Sequence, residues 1–176
     1  MPLKRHPALQ DLSRDHQLFM AEARQVRWFL EDDKRAKPLD DLIESLLVFW
    51  EEHGAPHCQE EETVIYPFYL KQAPLKQRQI DALYTDHRWL HEKVKELAAL
   101  PRFENCSPLL RSMHDYIINH VRHEEHVIYD AIQDALNDEQ LNELAALSLA
   151  YRQQNRHADN INRTQGYADL PDLADI

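Results

Sequence analysis

A ten-residue pattern that occurs twice constrains the fold of this chain more than any other feature. Residues 57–66 read HCQEEETVIY and residues 120–129 read HVRHEEHVIY, so His, Glu, Glu, Val, Ile and Tyr return at the same offsets. In both copies a His and a Glu stand four residues apart, a spacing that stacks two side chains on one face of a helix. The repeat therefore predicts two similar halves, each built on helices.

An Asp-His pair precedes each copy of the pattern. Asp15-His16 stands before the first copy and Asp86-His87 before the second. Each half thus offers one His from one segment and a His-x-x-x-Glu pair from the next. This arrangement indicates a metal site shared by four helices.

Composition also favours helices. Only two of the 176 residues are Gly, while Leu, Ala, Glu, Lys, Arg and Gln are abundant. A chain of this length can bury a full core as one domain. The predicted fold is all-α, an up-down-up-down four-helix bundle over residues 1–136. An additional C-terminal helix and tail over residues 137–176 should pack on or beside this bundle.

Apolar residues recur at steps of three and four along the chain, as in amphipathic helices. This periodicity predicts helices over about 9–31, 39–72 and 75–100, a fourth from about 108, and a shorter fifth from 138. Gly54 and Pro56 interrupt the second of these, so we expect a kink just before His57.

Charge and cysteine content narrow the range of partners. The formal net charge of -11 argues against nucleic acid and anionic membranes. Cys58 and Cys106 show no CxxC spacing, so neither disulfides nor a cysteine-type zinc site is expected. We recognise no signal peptide and no apolar run of membrane-spanning length, and expect a cytoplasmic protein. Whether the fifth helix covers the bundle end or mediates a homodimer stays open.

Several polar residues fall within the apolar stripes that should form the core. Burying so many imidazoles and carboxylates is costly unless they are paired or bind a metal. Imidazole with carboxylate suits iron, manganese or zinc better than calcium or magnesium. The alternatives are ordinary surface pairs and, for His16, a packed core histidine. The candidate metal ligands on these stripes are His16, His57, Glu61, His87, His91, His120 and Glu124.

The candidate ligands are distributed unequally between the two halves. Aligning the two Asp-His pairs places Met20 where the second half has His91. An open coordination position, which binding of a small molecule requires, is therefore expected on the side of His16 and His57, beside Met20.

Other repeated or neighbouring residues have less defined roles. His53 lies one turn before His57, and it is a candidate for the pocket mouth or for a hydrogen bond to a ligand, with plain packing as the alternative. Tyr66 and Tyr129 recur in the repeat but fall about half a helical turn from the ligands. We expect these tyrosines to pack between helices.

Taken together, the motifs resemble the hemerythrin-like family, the His-His-Glu (HHE) cation-binding domain, over roughly residues 9–132. The resemblance implies a non-haem di-iron centre bridged by an oxo or hydroxo group and two carboxylates, with a place for dioxygen on one iron. The motifs that carry it are Asp15-His16, His57-x-x-x-Glu61-Glu62, Asp86-His87-x-x-x-His91 and His120-x-x-x-Glu124-Glu125.

The resemblance also implies a role for each ligand. The oxygen-carrying hemerythrins have their second bridging carboxylate, an Asp, at the position of Glu125, whereas the internal repeat favours Glu124. The assignments are His87, His91 and His120 for one iron, His16 and His57 for the other, and Glu61 and Glu124 as bridges.

Three functions are compatible with such a centre. The first is binding of dioxygen or a related diatomic or anionic molecule for carriage, storage or sensing, because the His ligands outnumber the carboxylates. The second is an enzyme that handles peroxide or nitric oxide, and the third is a role in iron homeostasis. No His follows a Glu by three residues, which argues against the ferritin-like di-iron oxidases.

Overall fold

The computed structural model describes residues 5–101 and 105–155, with only the backbone of Leu75, and within these ranges the chain is helical without strands. This agrees with the predicted all-α class. The α-helices are α1 (Pro7–Leu30), α2 (Leu39–Phe49), α3 (Ala55–Glu60), α4 (Tyr66–Gln72), α5 (Gln77–Ala99), α6 (Ser107–His123), α7 (Tyr129–Ala135) and α8 (Asp138–Asn155).

Short π-helical turns join several of these helices. They are π1 (Trp50–Gly54), π2 (Glu61–Ile65) and π3 (Glu124–Ile128), so α2 to α4 and α6 to α7 each form one continuous helical stretch. The irregularity predicted at Gly54 and Pro56 takes the form of π1, which ends where α3 begins with its proline. A one-turn Pro74–Lys76 3₁₀-helix leads into α5.

Gly54 leaves room for the indole of Trp50. A Cβ atom at position 54 would lie 2.6 Å from Cε3 of that ring, closer than real Cβ contacts allow. The absence of a side chain at this position therefore lets Trp50 lie against its own helix.

The long helical stretches enclose a common interior. α1 contacts α2 and α6, and α5 contacts the same two helices. Along α1, Leu12 belongs to one buried apolar cluster, the first, and Phe19 belongs to another, the second apolar cluster. His16 lies between these two residues. Apolar packing thus covers the polar residues of the interior from both ends.

Helix α8 packs on α1, α3 and π2. The spacing of apolar residues predicts an edge of α8 formed by Leu141, Leu144, Leu147 and Tyr151. Leu141 and Leu144 are buried and Tyr151 is half-buried, but Leu147 is 44% exposed, so the prediction is wrong for Leu147. The second half of α8 contacts the rest of the protein through the polar side chains of Ser148 and Arg152. The remaining predicted tail, residues 156–176, lies outside the described residues. Across the described ranges, none of the helices combines the length and the apolar content that a membrane crossing needs.

Candidate metal centre

Six of the seven predicted ligands meet in the interior between the helical stretches. They form two groups of side chains that could each hold a metal ion, with the ligand atoms of a group within 4.8 Å of one another. The first group is His16, His57, Glu61 and Glu124, and the second is His87, His120 and Glu124.

The two His-x-x-x-Glu pairs meet on one helix face, as their spacing predicts. Nε2 of His57 lies 3.4 Å from Oε2 of Glu61, and Nε2 of His120 lies 3.3 Å from Oε2 of Glu124. Both carboxylates are fully buried, at 0% exposure. Surface ion pairs, the alternative that the sequence left open, are therefore excluded in this structure.

The two halves of the repeat also exchange contacts. Nε2 of His16 lies 3.0 Å from Oε2 of Glu124, in the other half. Nε2 of His87 lies 3.4 Å from Oε2 of Glu61 and 3.7 Å from Oε1 of Glu124. Each glutamate therefore faces imidazoles from both halves, a position in which a carboxylate can bridge two ions.

The atoms that point to the centre of the cluster suit a metal. A buried polar atom without a hydrogen bond is costly, so native proteins satisfy nearly all of them. Four imidazole and carboxylate atoms here have no such partner among the described residues, although each lies where a ligand atom should lie. They are Nε2 of His57, His87 and His120 and Oε2 of Glu61.

Each of the four imidazoles turns its other nitrogen toward an outer carboxylate. Such a carboxylate fixes the ring orientation and raises the basicity of the metal-facing nitrogen. These carboxylates are the aspartates of the two Asp-His pairs and the second glutamates of the two Glu-Glu pairs. The Nδ1 distances are 2.6 Å for His16 to Glu125, 3.6 Å for His57 to Asp15, 2.9 Å for His87 to Glu62 and 3.5 Å for His120 to Asp86.

Two tyrosines hold the central carboxylates, contrary to the expectation that they only pack between helices. The hydroxyl of Tyr66 donates a 2.5 Å hydrogen bond to Glu124, and that of Tyr129 donates a 2.6 Å hydrogen bond to Glu61. The π turns cause the difference, because the amide of Tyr66 bonds to the carbonyl of Glu61, five residues earlier. The same bond joins Tyr129 and Glu124. The one available sequence signal was their recurrence at one offset.

Burial and mutual contacts displace the pKa values of the central groups in opposite directions. Burial, reinforced by Glu124, raises the pKa of Glu61 to about 8. Burial also acts to raise the pKa of Glu124, but His120 and His16 outweigh it and hold this pKa well below its usual value. Burial alone would lower the pKa of His16, yet the bonds to its two glutamates raise it to about 10. Burial lowers the pKa of His57 to about 4.

The outer carboxylates have different partners on the two sides of the centre. On the His16/His57 side, buried Arg5 forms an ion pair with Glu125, and Arg152 forms one with Asp15. On the His87/His120 side, Asp86 accepts a hydrogen bond from the phenol of Tyr116. The side chain of Glu62 on that side is 34% exposed. Among the described residues, arginines therefore form ion pairs with the outer carboxylates on the first side alone.

Four residues that the sequence singled out lie away from the ligand atoms. His91 is exposed, and its Nδ1 accepts a 3.3 Å hydrogen bond from the indole of Trp50. Met20 is half-buried against the second apolar cluster, and the ring of His53 lies 6.0 Å from that of Phe49. Glu125 is the outer partner of His16.

Comparison with known proteins shows which family shares the pattern of this chain. A family model described as "Hemerythrin HHE cation binding domain" matches residues 8–132, more than half of the chain. No curated protein and no solved structure matches the chain. The matched range contains all six converging residues, whereas Arg5 and Arg152 lie outside it. The chain therefore belongs to the hemerythrin HHE cation-binding domain family.

Proposed function

We propose that this protein binds two iron ions in the buried cluster and uses them to bind dioxygen or a related small diatomic or anionic molecule, for carriage, storage or sensing. The supporting observation is the convergence of four buried imidazoles and two buried carboxylates, in which inward atoms of His57, His87, His120 and Glu61 have no hydrogen-bond partner among the described residues. Iron, when bound, would supply redox-active positions for such a molecule. The imidazole-rich donor set suits this metal.

The proposed ligands fall into two sets that share carboxylates. His91 would join them only by leaving its hydrogen bond with Trp50. We assign His16 and His57 to one ion, His87 and His120 to the other, and Glu61 and Glu124 to the space between the ions.

The surrounding residues would prepare the site before any ion enters. The outer carboxylates orient the four imidazoles, and Tyr66 and Tyr129 hold the two central carboxylates in place. Packing above and below His16 excludes water from the interior. These features reduce the reorganisation that binding requires, which favours a well-defined centre.

The scaffold that we propose for this centre is the up-down-up-down four-helix bundle, over residues 1–136. The family match and the contacts of α1 and α5 with the same two helices support it. Helix α8 and the residues after it, 137–176, would form an addition packed on this bundle.

An enzyme that handles peroxide or nitric oxide is the second candidate. The specific observation in its favour is the pair of buried phenols that donate to the central carboxylates. Burial raises the pKa of Tyr66 and of Tyr129 well above the usual value, so both hydroxyls keep their protons at neutral pH. Such protonated phenols can donate hydrogen bonds at the edge of the centre.

Reversibility under oxygen separates the two candidates. The iron-loaded protein is reduced without oxygen, exposed to air, and then returned to an oxygen-free atmosphere while its visible spectrum is followed. A band that forms in air and disappears on removal of oxygen supports binding, whereas immediate and irreversible oxidation supports the enzyme. His120→Ala should abolish the spectrum, while His114→Ala, on the same helix with its Nδ1 on Asp115, should retain it. An iron-loaded protein with no spectral response to air would contradict both candidates.

A further inference from the structure

We propose that small molecules reach the metal centre from the His87/His120 side, through a pocket beside Trp50. This inference rests on the proposed function; it concerns the route of entry, and the open position expected beside Met20 stays a prediction. The pocket has a volume of about 380 Å³. Its wall includes Trp50, Ala55, Cys58, Gln59, His87 and His91.

The pocket and the centre share one residue. His87 is 3% exposed and lines the pocket, while its Nε2 lies 3.4 Å from Oε2 of Glu61. Cys58, 6% exposed, lines the same wall of the pocket. A molecule at the inner end of the pocket is therefore next to a proposed ligand.

The His16/His57 side is closed by two arginines. The side chain of Arg5 is 4% exposed, and its Nε and Nη2 donate to Glu125 at 3.2 and 3.1 Å. The side chain of Arg152 is 11% exposed, and it binds Asp15 at 2.8 Å and Glu60 at 2.6 Å. A molecule that enters here would have to separate buried ion pairs, which is costly.

The internal repeat explains why the pocket lies beside the first copy and has no counterpart beside the second among the described residues. Ala55 in the first half corresponds to Ile118 in the second, and Cys58 corresponds to Val121. Ile118 packs on the second apolar cluster, and Val121 is fully buried within it. The larger apolar side chains of the second copy fill the space that corresponds to the pocket, and the smaller side chains of the first copy leave it open.

His91 shapes the mouth of the pocket. Because its Nδ1 accepts the hydrogen bond of the Trp50 indole, its imidazole points to the pocket rim and not to the cluster. Most of the accessible lining is apolar, and the charged residues that also line the pocket are Glu62, Arg88 and Glu92. This lining suits a small uncharged or singly negative molecule that can donate a lone pair to a metal.

A matched pair of bulky substitutions tests the entry side. Gln59 lies exposed on the pocket wall, and the repeat places exposed Arg122 at the corresponding position in the other half. Azide is mixed rapidly with the oxidised, iron-loaded protein, and its binding rate is read from the absorption change. We expect Gln59→Trp to slow binding about tenfold, because the indole must first move aside, and Arg122→Trp to leave the rate unchanged. Unchanged binding in Gln59→Trp, or slower binding only in Arg122→Trp, would overturn the proposal.

A second readout does not depend on iron. In a Cys106→Ser background Cys58 is the one remaining thiol, and its reaction with methyl methanethiosulfonate reports entry into the pocket. Gln59→Trp should slow this reaction about tenfold in the metal-free protein, and Arg122→Trp should not change it. Equal rates in all three proteins would overturn the pocket as a route. Absence of iron from the parent protein would overturn the proposed function alone, because the thiol reaction still tests the route.

Discussion

The phenol of Tyr129 donates a 2.6 Å hydrogen bond to the carboxylate of Glu61, in the opposite half of the repeat. The reciprocal bond joins Tyr66 to Glu124. In an α-helix a residue five positions after the glutamate would point about 140° away from it. A π turn adds one residue to the turn and brings the tyrosine to the same face. The crossed pair thus links the two halves at the centre of the proposed metal site.

Removal of either hydroxyl should weaken both the fold and the site. Tyr66→Phe or Tyr129→Phe leaves a buried carboxylate oxygen without its donor, which should lower the free energy of unfolding of the metal-free protein by about 2 kcal/mol. Urea denaturation measures this change. Metal affinity, from chelator competition, should fall about 10- to 100-fold. Tyr84→Phe is the control, because that half-buried hydroxyl donates only to a backbone carbonyl at 3.3 Å. Equal effects in all three variants would contradict the assigned role.

The two neighbouring glutamates of the second repeat should respond differently to removal. Glu124→Ala deletes a carboxylate common to both groups of ligands and should lose one or both ions. Glu125→Ala removes the outer partner of His16 and should keep two ions with about 10- to 100-fold weaker affinity. Metal content after desalting measures both. Two ions retained in Glu124→Ala and lost in Glu125→Ala would move the bridge to Glu125.

Much of this arrangement follows from the sequence, for identifiable physical reasons. The helical period and the four-residue spacing place His57 with Glu61 and His120 with Glu124, because both are local geometry. Asp15 and Glu62 are adjacent to ligands in the repeated motifs, so the sequence shows that they lie near the site. The imidazole that each one contacts belongs to another helix, so the pairing follows only from the packing of the helices.

Other features depend on information that periodicity does not contain. A π turn changes the helical register. Regular α-helical periodicity therefore places Tyr66 about half a turn from the ligands, although its recurrence is visible in the sequence. Arg5 and Arg152 reach the site from distant segments, and no local pattern couples them to Glu125 or Asp15. His91 has the spacing of a ligand, but its rotamer is set by the indole of Trp50.

The outward position of His91 leads to a direct test. If His91 is bound only to Trp50, His91→Ala should keep two ions per chain, because none of the six converging ligands is changed. His87→Ala, one turn earlier on the same helix, should lose at least one ion. Elemental analysis of the two variants measures this. Loss of an ion from His91→Ala would restore it to the ligand set that the family resemblance implies.

Metal affinity should rise with pH. In the metal-free protein Glu61, with a pKa of about 8, and His16, with a pKa of about 10, each hold a proton at neutral pH that an ion must displace, and so does His87, whose pKa its neighbours raise well above the usual value. Each displaced proton makes the affinity change about tenfold per pH unit. The slope should therefore decrease by one proton near the pKa of Glu61, and Glu61→Gln should remove this step. Manganese binding by chelator competition at graded pH measures the slope, and an affinity independent of pH would contradict the assignment.

The most direct measurement is the metal content of the protein produced in iron-rich medium, by elemental analysis of the purified chain. The proposed centre predicts two iron ions per chain and their loss from His16→Ala, His57→Ala and His120→Ala. One zinc ion, or no metal after such expression, would leave the helical fold intact and contradict the di-iron centre.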